Sequence, residues 1–302
     1  MVTRYDKIVN EKAIATIQTK EQRRKNLQKV YELAKQERVN SAKEDKKKRL
    51  LILIDPQNDF MPQIGSLPVE GAIEDIKRIT DFIYRNNNSI TKIMCTQDTH
   101  QPMQIFHPKW WKDRNGNIVE PYTVITYEDY QRGIWLPTYG DINRAEDYLK
   151  NMKSIQIWPE HCIEGEFGWK FEGQLLKMLY FWALTRNTIP DIVKKGTDPY
   201  SDMFGAIKAE YDPTNRKTKK VIKVVEEYDE IYIAGEASSH CLPITVKQTI
   251  EEFIGRQDII SKITILEDCT SPVKGCEDLQ KEFFNEFRSC GIRIANSQNI
   301  NL

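Results

Sequence analysis

The sequence predicts an α/β protein with three layers, in which helices cover both faces of a central, mostly parallel sheet. Short apolar runs alternate with helical stretches along residues 50–302, and such alternation is typical of a parallel sheet. Of the 302 residues, 40% are hydrophobic, which is enough for one sizeable core. A charged segment precedes the first apolar run. We therefore divide the chain into a helical extension, 1–49, and an α/β domain, 50–302.

The extension contains no proline or glycine and ends in KEDKKKR. Its apolar residues recur at helical spacing and form a thin stripe of Ile14, Ile17, Leu27, Val30, Tyr31 and Ala34. Helices here could pack on the domain or on another subunit, so a homo-oligomer stays open. A partly frayed, solvated arm is equally consistent with the composition.

The predicted strands are the apolar runs 50–54, 92–96, 189–193, 230–235 and 262–266, and 292–295 could add an edge strand. The first run, LLILI, is continuously apolar, as expected for a strand that is buried on both faces. Ligands of open parallel sheets bind beyond the carboxyl ends of the strands. Residues that follow these runs are therefore candidates for a functional site.

Cys241 lies where strand 230–235 turns through EASSH into a helix that begins CLPITVKQTIEEF. A cysteine at a helix N-terminus faces unpaired N–H groups and the positive end of the helix dipole. We therefore expect a lowered pKa for the Cys241 thiol and a nucleophilic thiolate. Pro243 in the first turn supports this helix start. A buried structural cysteine is the alternative.

Asp55 follows the first strand in DPQNDF, and Lys195 follows strand 189–193. Both can converge with Cys241 because the carboxyl ends of parallel strands meet at one edge of the sheet. Asp55 would take the thiol proton and return it to a leaving amine, while Lys195 would stabilise both charges. A loop-capping aspartate and a surface lysine are the alternatives.

Two of the four histidines belong to a candidate metal site. Asp98 and His100 are two residues apart in TQDTH, so an extended chain directs both to the same side. With His161 of IWPEHC they offer one carboxylate and two imidazoles, a set that leaves open positions on zinc, iron or manganese. We interpret His107 as a loop residue rather than a further ligand, and His240 as a local hydrogen-bonding residue.

Five motifs in residues 50–302 together resemble the nicotinamidase and isochorismatase-like cysteine hydrolases. They are IDPQNDFM with GSLPV after it, TQDTH, IWPEHCIEGEFG, VKKGTDPYSD and YIAGEASSHC, in the family's order. The resemblance implies the isochorismatase-like hydrolase fold. It also implies that Asp55 is the base, Lys195 the triad lysine and Cys241 the nucleophile.

The WPEHC motif is similar to that of the metal-bearing nicotinamidase branch. This resemblance implies that Asp98, His100 and His161 bind a divalent metal, with zinc expected first and iron or manganese as alternatives. The metal's open position would accept the pyridine nitrogen of the substrate, and a metal-activated water would hydrolyse the thioester.

The resemblance also implies the remaining parts of an active site. Phe60 and Trp158 would form walls for a flat ring, although both could equally belong to the core. The peptide bond between Glu236 and Ala237 would be cis, and the N–H groups of Ala237 and Cys241 would form an oxyanion hole. The implied reaction converts nicotinamide to nicotinate and ammonia through a Cys241 thioester, in NAD salvage.

Several departures from the family pattern leave other functions open. Gln104 stands where shorter members have a histidine, so a fourth metal ligand is in doubt, and Ser238 and Ser239 stand where bulkier residues are common. The stretch 101–156 is long for its place, and we expect it to form a lid that reshapes the pocket. The first alternative is another cysteine amidase or isochorismatase-like hydrolase that acts on a larger amide. The second is a non-catalytic scaffold that binds through the extension and the lid.

Composition favours a small-molecule amide as the partner. Lys and Arg number 44, as do Asp and Glu, so the zero net charge gives no reason to expect nucleic acid. No apolar run reaches the ~20 residues that span a membrane, and the N-terminal residues lack a signal-peptide pattern. The six cysteines lack the density of a secreted disulfide framework, so we expect free thiols and a cytoplasmic location.

Overall fold

A six-stranded parallel sheet forms the centre of the protein in a computed structural model that describes residues 4–302. The helices are α1 Arg4–Ile8, α2 Lys20–Ala34, α3 Ala72–Arg85, α4 Tyr127–Gln131, α5 Ile142–Met152, α6 Gly173–Thr185, α7 Lys219–Glu227, α8 Cys241–Glu252, α9 Gln257–Ile260 and α10 Glu277–Ser289. The strands are β1 Arg49–Ile54, β2 Lys92–Asp98, β3 Trp111–Lys112, β4 Val124–Thr126, β5 Leu136–Pro137, β6 Ser154–Gln156, β7 Asp191–Lys195, β8 Glu230–Gly235, β9 Ile263–Leu266 and β10 Arg293–Ala295. None of the helices in the described part of the chain is long and apolar enough to cross a membrane.

The order of strands in the central sheet is β10-β9-β8-β1-β2-β7, and every neighbouring pair is parallel. Side chains of a strand alternate between the two faces of a sheet. In β1, Leu51 and Leu53 join the core that includes α3 and α6, whereas Leu50, Ile52 and Ile54 join the core that includes α7, α8 and α10. Helices therefore cover both faces, which confirms the predicted three-layer α/β/α fold.

All the predicted strands are present, but the prediction for β7 was two residues early. This edge strand is half exposed: Val193 and Lys195 are buried, whereas Ile192 and Lys194 are exposed. The apolar pattern does not show where β7 ends, because its last buried residue, Lys195, is not apolar. In the parallel ladder Lys195 is paired with Asp98 at the end of β2, so both lie on the strands themselves.

The N-terminal helices α1 and α2 pack against α6 and join the core on that side of the sheet. A capping box between Thr19 and Gln22 begins α2. Its buried face contains Val30, Leu33 and Ala34, which are at helical spacing. The domain boundary at residue 49 stays a prediction.

Half of the predicted apolar stripe in this segment is wrong. Ile17, Leu27 and Tyr31 have exposed fractions of 70%, 50% and 44%. Leu27 and Tyr31 are four residues apart and share a second face of α2, away from the core. Leu33, which the stripe left out, lies on the buried face instead.

The stretch 101–156 folds into helices α4 and α5 and two small antiparallel sheets, one of β3 with β5 and one of β4 with β6. Trp110 and Trp111 are almost fully buried and form part of its packing against the main core. The stretch is therefore a packed subdomain rather than a loose loop. Among its residues, which are all described, Phe106 alone lines the cavity at the sheet edge, so a lid over the cavity is not what the fold shows.

Candidate active site

The residues predicted as a triad, Asp55, Lys195 and Cys241, meet at the carboxyl edge of the sheet, and we call them the candidate triad. Asp55 directly follows β1, Lys195 ends β7 and Cys241 begins α8 after β8. The Lys195 Nζ atom lies 2.9 Å from Asp55 Oδ2 and 3.5 Å from Cys241 Sγ. All three residues are buried. The geometry brings them together, and their catalytic roles stay predictions.

Asp55 is held from one side by the hydroxyl group of Thr96. The Thr96 Oγ1–H group donates to Asp55 Oδ1 at 2.6 Å, and Thr96 Oγ1 accepts the Asp55 N–H at 2.9 Å. Asp55 has a φ of 41°, a left-handed conformation that is uncommon for a residue other than glycine and is often found at functional sites. Burial raises the pKa of Asp55, while the Lys195 charge opposes this shift. The second oxygen, Oδ2, remains to face Lys195 and the thiol.

The expectation that the helix N-terminus lowers the pKa of Cys241 is wrong for this structure. Burial raises the pKa of the thiol well above its usual range; the Lys195 charge opposes this, and the Asp55 carboxylate adds to it. The thiol is also in hydrogen-bond contact with Asp55. Cys241 is therefore a thiol at rest, and a nucleophilic attack requires transfer of its proton to a base.

Lys195 is a buried cation between two carboxylates. Its Nζ atom lies 3.0 Å from Asp98 Oδ1, in addition to its contact with Asp55, and donates to the Met203 carbonyl oxygen at 3.2 Å. Burial alone would lower the pKa of Lys195, but the two carboxylates outweigh it and raise the pKa well above the ordinary value. Lys195 thus stays charged and joins the candidate triad to Asp98.

Asp98, His100 and His161 form a second buried group, which we call the metal cluster. Asp98 Oδ2 lies 3.1 Å from His100 Nε2 and 3.8 Å from His161 Nε2, and one ligand atom from each residue lies within 4.8 Å of the other two. His100 Nδ1 is 3.0 Å from the Gly196 carbonyl oxygen, and His161 Nδ1 is 2.8 Å from that of Pro159. A proton on each Nδ1 leaves each Nε2 lone pair available to a cation, as is usual for metal-binding histidines.

The donor set of the metal cluster fits a divalent cation. One carboxylate oxygen and two imidazole nitrogens suit zinc, iron or manganese and leave positions open for water or substrate. Burial would favour a neutral Asp98, but His100 and Lys195 hold the pKa of Asp98 well below its usual range. Gln57 fixes the Asp98 backbone, because its side chain accepts the Asp98 N–H and donates to the Asp98 carbonyl oxygen.

Gln104 and His107 lie next to the metal cluster but outside it. The Gln104 Nε2 atom donates to the Gly196 carbonyl oxygen at 2.7 Å, on the Nδ1 side of His100. The ring centre of His107 is 6.1 Å from those of His100 and His161, and burial lowers the pKa of His107 to about 2. Among the described residues, neither belongs to the group of candidate metal ligands. His107 is therefore a buried, neutral loop residue, as we interpreted it.

The turn between β8 and α8 supplies two backbone N–H groups beside the Cys241 thiol. The peptide bond between Glu236 and Ala237 is cis, which confirms that expectation. Within residues 4–302, the N–H groups of Ala237 and Cys241 donate to no other group, so both are available to a ligand. Their role as an oxyanion hole stays a prediction.

A cavity opens at this edge of the sheet, between the candidate triad and the metal cluster. Its apolar walls are Phe60, Leu67, Val69, Phe106, Trp158, Met203, Phe204 and Val273. Phe60 and Trp158, the two predicted wall residues, are therefore on the cavity surface, each with 6% of its surface exposed. The cavity is also lined by Ala237, Cys241, Asp202, His240 and the three residues of the metal cluster.

No protein-family model matches the chain. A nicotinamidase of Saccharomyces cerevisiae is 27% identical over 250 residues, which cover 82% of this chain and 99% of the relative. The structure of the yeast nicotinamidase bound to the inhibitor nicotinaldehyde has a TM-score of 0.58 and 22% identity, over 82% of this chain and 99% of that chain. A pyrazinamidase of Pyrococcus horikoshii, solved in complex with zinc, has a TM-score of 0.50 and 18% identity, over 82% and 99%.

The identity to the yeast enzyme extends over nearly its whole length, and the sheet is shared with these structures. The chain is therefore similar to nicotinamidases in sequence and shares its fold with nicotinamidase and pyrazinamidase structures. The sheet edge that the motifs marked is the edge where the cavity opens.

Sequence reasoning missed several residues that build the candidate site. Thr96 and Gln57 support Asp55 and Asp98, and both stand inside motifs that were noted for other residues. Asp202, Phe204 and His240 line the cavity. Asp202 ends the VKKGTDPYSD motif, and Phe204 follows it, so the motif was the available signal. Nothing in the local sequence indicates that His240 packs beside Phe204.

Proposed function

We propose that this hydrolase converts nicotinamide to nicotinate and ammonia, a reaction of NAD salvage. The observation that carries the proposal is the position of the Cys241 thiol, which is next to Asp55 and Lys195 and lines a cavity that the metal cluster also lines. The curated nicotinamidase relative supports this substrate. A flat pyridine ring suits aromatic walls, which offer both ring faces and ring edges for contact.

The chemistry requires one acid–base group, one nucleophile and one anion-stabilising turn. Asp55 takes the proton from the Cys241 thiol as sulfur attacks the carboxamide carbon, and Lys195 balances the charge that this transfer creates. The N–H groups of Ala237 and Cys241 donate to the oxyanion, and each such donor contributes about 3 kcal/mol to the transition state. Asp55 returns the proton to the leaving nitrogen, the C–N bond breaks, and ammonia departs from a thioester. Water then breaks the C–S bond and releases nicotinate and the thiol.

We propose zinc as the ion of the metal cluster, with iron and manganese as alternatives. Asp98, His100 and His161 would hold it, and the zinc in the pyrazinamidase structure makes zinc the first ion to test. When bound, a divalent cation supplies Lewis acidity, which polarises a coordinated substrate atom or water. The carbonyl groups of Gly196 and Pro159 would keep the two imidazoles oriented for it.

A larger or more polar carboxamide is the second candidate substrate. Two polar side chains of the cavity surface, Asp202 and His240, are not used by the reaction scheme above. His240 Nδ1 is 2.8 Å from Ser239 Oγ, which also accepts the Val273 N–H. The Nε2 atom of His240 has no hydrogen-bond partner among the described residues and is available to an additional polar group on a substrate.

We further propose a cytoplasmic enzyme whose partner is a small molecule. A thiol nucleophile requires a reducing compartment, and all six cysteines are free thiols. The balanced charge of the chain offers no attraction for nucleic acid.

The decisive experiment is ammonia release from nicotinamide by the purified wild type and by Cys241→Ala, each with and without prior chelation. We expect turnover by the wild type, none above background in Cys241→Ala, and a fall on chelation that added zinc reverses. Cys290→Ser, which changes a cysteine at the end of α10, is the matched control and should keep wild-type turnover. Absence of turnover by the zinc-loaded wild type would exclude nicotinamide, and a panel of larger carboxamides would then test the second candidate.

A further inference from the structure

Two buried carboxyl groups, Asp75 and Glu236, lie behind the catalytic turn and take no part in the chemistry above. We call them the carboxyl pair. Asp75 is in the first turn of α3, and Glu236 precedes the cis peptide bond. Their exposed fractions are 2% and 1%, and their side chains are in hydrogen-bond contact. Two ionised carboxylates can only accept hydrogen bonds, so a contact of this kind requires one proton between them.

The surroundings do not offset a second negative charge. The Ser271 hydroxyl group is in hydrogen-bond contact with Asp75, but it is neutral. Among the described residues, Glu236 Oε1 has no hydrogen-bond partner outside the pair. The nearest cation is Arg78, whose Nη1 atom is 3.7 Å from Asp75 Oδ1 and also donates to the Asp268 carbonyl oxygen. The other ionisable groups that face the pair are the Asp268 carboxylate and the Cys269 thiol, which add no positive charge. If both carboxyl groups were ionised, the protein would contain two buried negative charges with little positive charge to compensate them.

The carboxyl pair joins three segments that form walls of the cavity. Ser271 links them, because its carbonyl oxygen accepts the Ser238 N–H at 2.9 Å and its N–H is 3.4 Å from Glu236 Oε2. Gly71, just before α3, approaches Ser271 so closely that a Cβ atom there would lie 1.9 Å from Ser271 Oγ. Val69, Ala237 and Val273, one from each segment, line the cavity. A displacement at the pair would therefore reach the N–H groups of the proposed oxyanion hole.

We propose that one proton shared by Asp75 and Glu236 holds the turn that carries Ala237 and Cys241 in its reactive position. Glu236 is thus a positioning residue, and it acts through the backbone of Ala237. Loss of the shared proton places two negative charges in contact, and their repulsion displaces the turn. Only the activity measurement below rests on the proposed hydrolysis of nicotinamide.

The pKa values agree with a shared proton at neutral pH. Burial raises the pKa of Asp75 to about 6, against the hydrogen bonds from Ser271 and Glu236 and the charge of Arg78, which lower it. Burial also raises the pKa of Glu236 well above its usual range, and the Asp75 charge adds to it. Near pH 7 the pair then contains an ionised Asp75 and a protonated Glu236. The pair loses this remaining proton only as the pH rises further. We therefore expect the activity to fall at alkaline pH.

Glu236→Gln tests the proposal because an amide donates to Asp75 at every pH and has the size of the acid. We expect the wild-type kcat to fall at alkaline pH with little change in KM, and we expect Glu236→Gln to move this fall to higher pH. Glu236→Ala should lower kcat at all pH values by about tenfold or more, approaching the roughly hundredfold cost of a lost oxyanion donor. Glu74→Gln, next to Asp75 but exposed, is the matched control and should keep the wild-type profile. An unchanged alkaline fall in Glu236→Gln would overturn the proposal.

Two measurements keep this test separate from the identity of the substrate. At pH 8 the infrared spectrum of the wild type minus that of Glu236→Gln should contain the C=O stretch of one buried carboxylic acid; Asp202 contributes equally to both proteins and cancels. The rate at which iodoacetamide alkylates Cys241 should change with alkaline pH in the wild type and much less in Glu236→Gln. If nicotinamide is not hydrolysed but both differences are observed, the shared proton stands without the proposed substrate. If the infrared band is the same in both proteins, Glu236 does not hold the proton and the proposal fails.

Discussion

Thr96 determines which oxygen of Asp55 is free to act. Its hydroxyl group occupies Oδ1 and lowers the pKa of Asp55, which burial raises. Thr96→Val removes the hydrogen bond and keeps the shape of the side chain. We expect a higher pKa for Asp55, so the base becomes protonated, and kcat/KM falls, at a higher pH than in the wild type. A hydrogen bond to a charged group contributes about 1.5–3 kcal/mol, which corresponds to a shift of about one to two pH units.

The measurement is the pH profile of kcat/KM on the acid side. Thr264→Val, on β9 and remote from Asp55, is the control and should leave the profile unchanged. An equal shift in both variants, or none in Thr96→Val, would mean that Thr96 does not tune the base.

At the same scale, sequence reasoning located the candidate triad but misjudged the direction of the pKa shift of Cys241. Asp55, Lys195 and Cys241 were predictable because each follows a predicted strand. The raised pKa of Cys241 could not be predicted from the sequence. The helix N-terminus is a local feature, whereas burial and the nearby Asp55 carboxylate result from tertiary packing. The carboxyl pair was also beyond sequence reasoning, because Asp75 looks like an ordinary acid in the first turn of a helix.

At the scale of elements, α2 offers a comparison between two leucines. Leu33 is buried against the core with α6, whereas Leu27 is 50% exposed. Leu33→Ala should lower the free energy of unfolding by about 2–4 kcal/mol, as is usual for a truncated core leucine. Leu27→Ala should change it by about 0.5 kcal/mol or less. Urea unfolding followed by circular dichroism measures both, and equal effects would show that α2 does not pack on the domain as described.

The same helix shows where pattern reasoning reaches its limit. Its helical structure was predictable from composition, but its apolar residues lie on two faces. Val30, Leu33 and Ala34 are buried because their face packs against α6, which the sequence pattern alone does not show. In contrast, β1 and β8 were predicted within one residue because both faces of each are buried and the apolar run marks the whole strand. The half-exposed edge strand β7 lacked that signal.

At the scale of the whole molecule, Asp202 connects the 101–156 subdomain to the α/β domain. The Tyr148 hydroxyl of α5 donates to Asp202 Oδ2 at 3.2 Å, and burial raises the pKa of Asp202 from 3.8 to about 8. Between these two values the folded protein binds a proton that the unfolded chain does not, so Asp202 makes stability fall as the pH rises through this range. Asp202→Asn keeps a hydrogen-bond acceptor and cannot ionise. Its stability relative to the wild type should therefore increase from pH 5 to pH 8.

Thermal or urea unfolding at a series of pH values checks this expectation. Asp278→Asn, at a carboxylate with 91% of its side chain exposed, is the control and should keep the wild-type slope above pH 5. A constant difference between Asp202→Asn and the wild type across the range would show that Asp202 is ionised throughout.

The pairing of Asp98 with Lys195 across β2 and β7 has a consequence for how this protein can change in evolution. A slip of one residue between the two strands would direct every side chain of β7 to the opposite face. Lys195 would then leave both carboxylates at once. An insertion within either strand would break this pairing, whereas the chain between the strands can lengthen without changing it. The long subdomain at 101–156 lies in that interval, where the ladder places no limit on length.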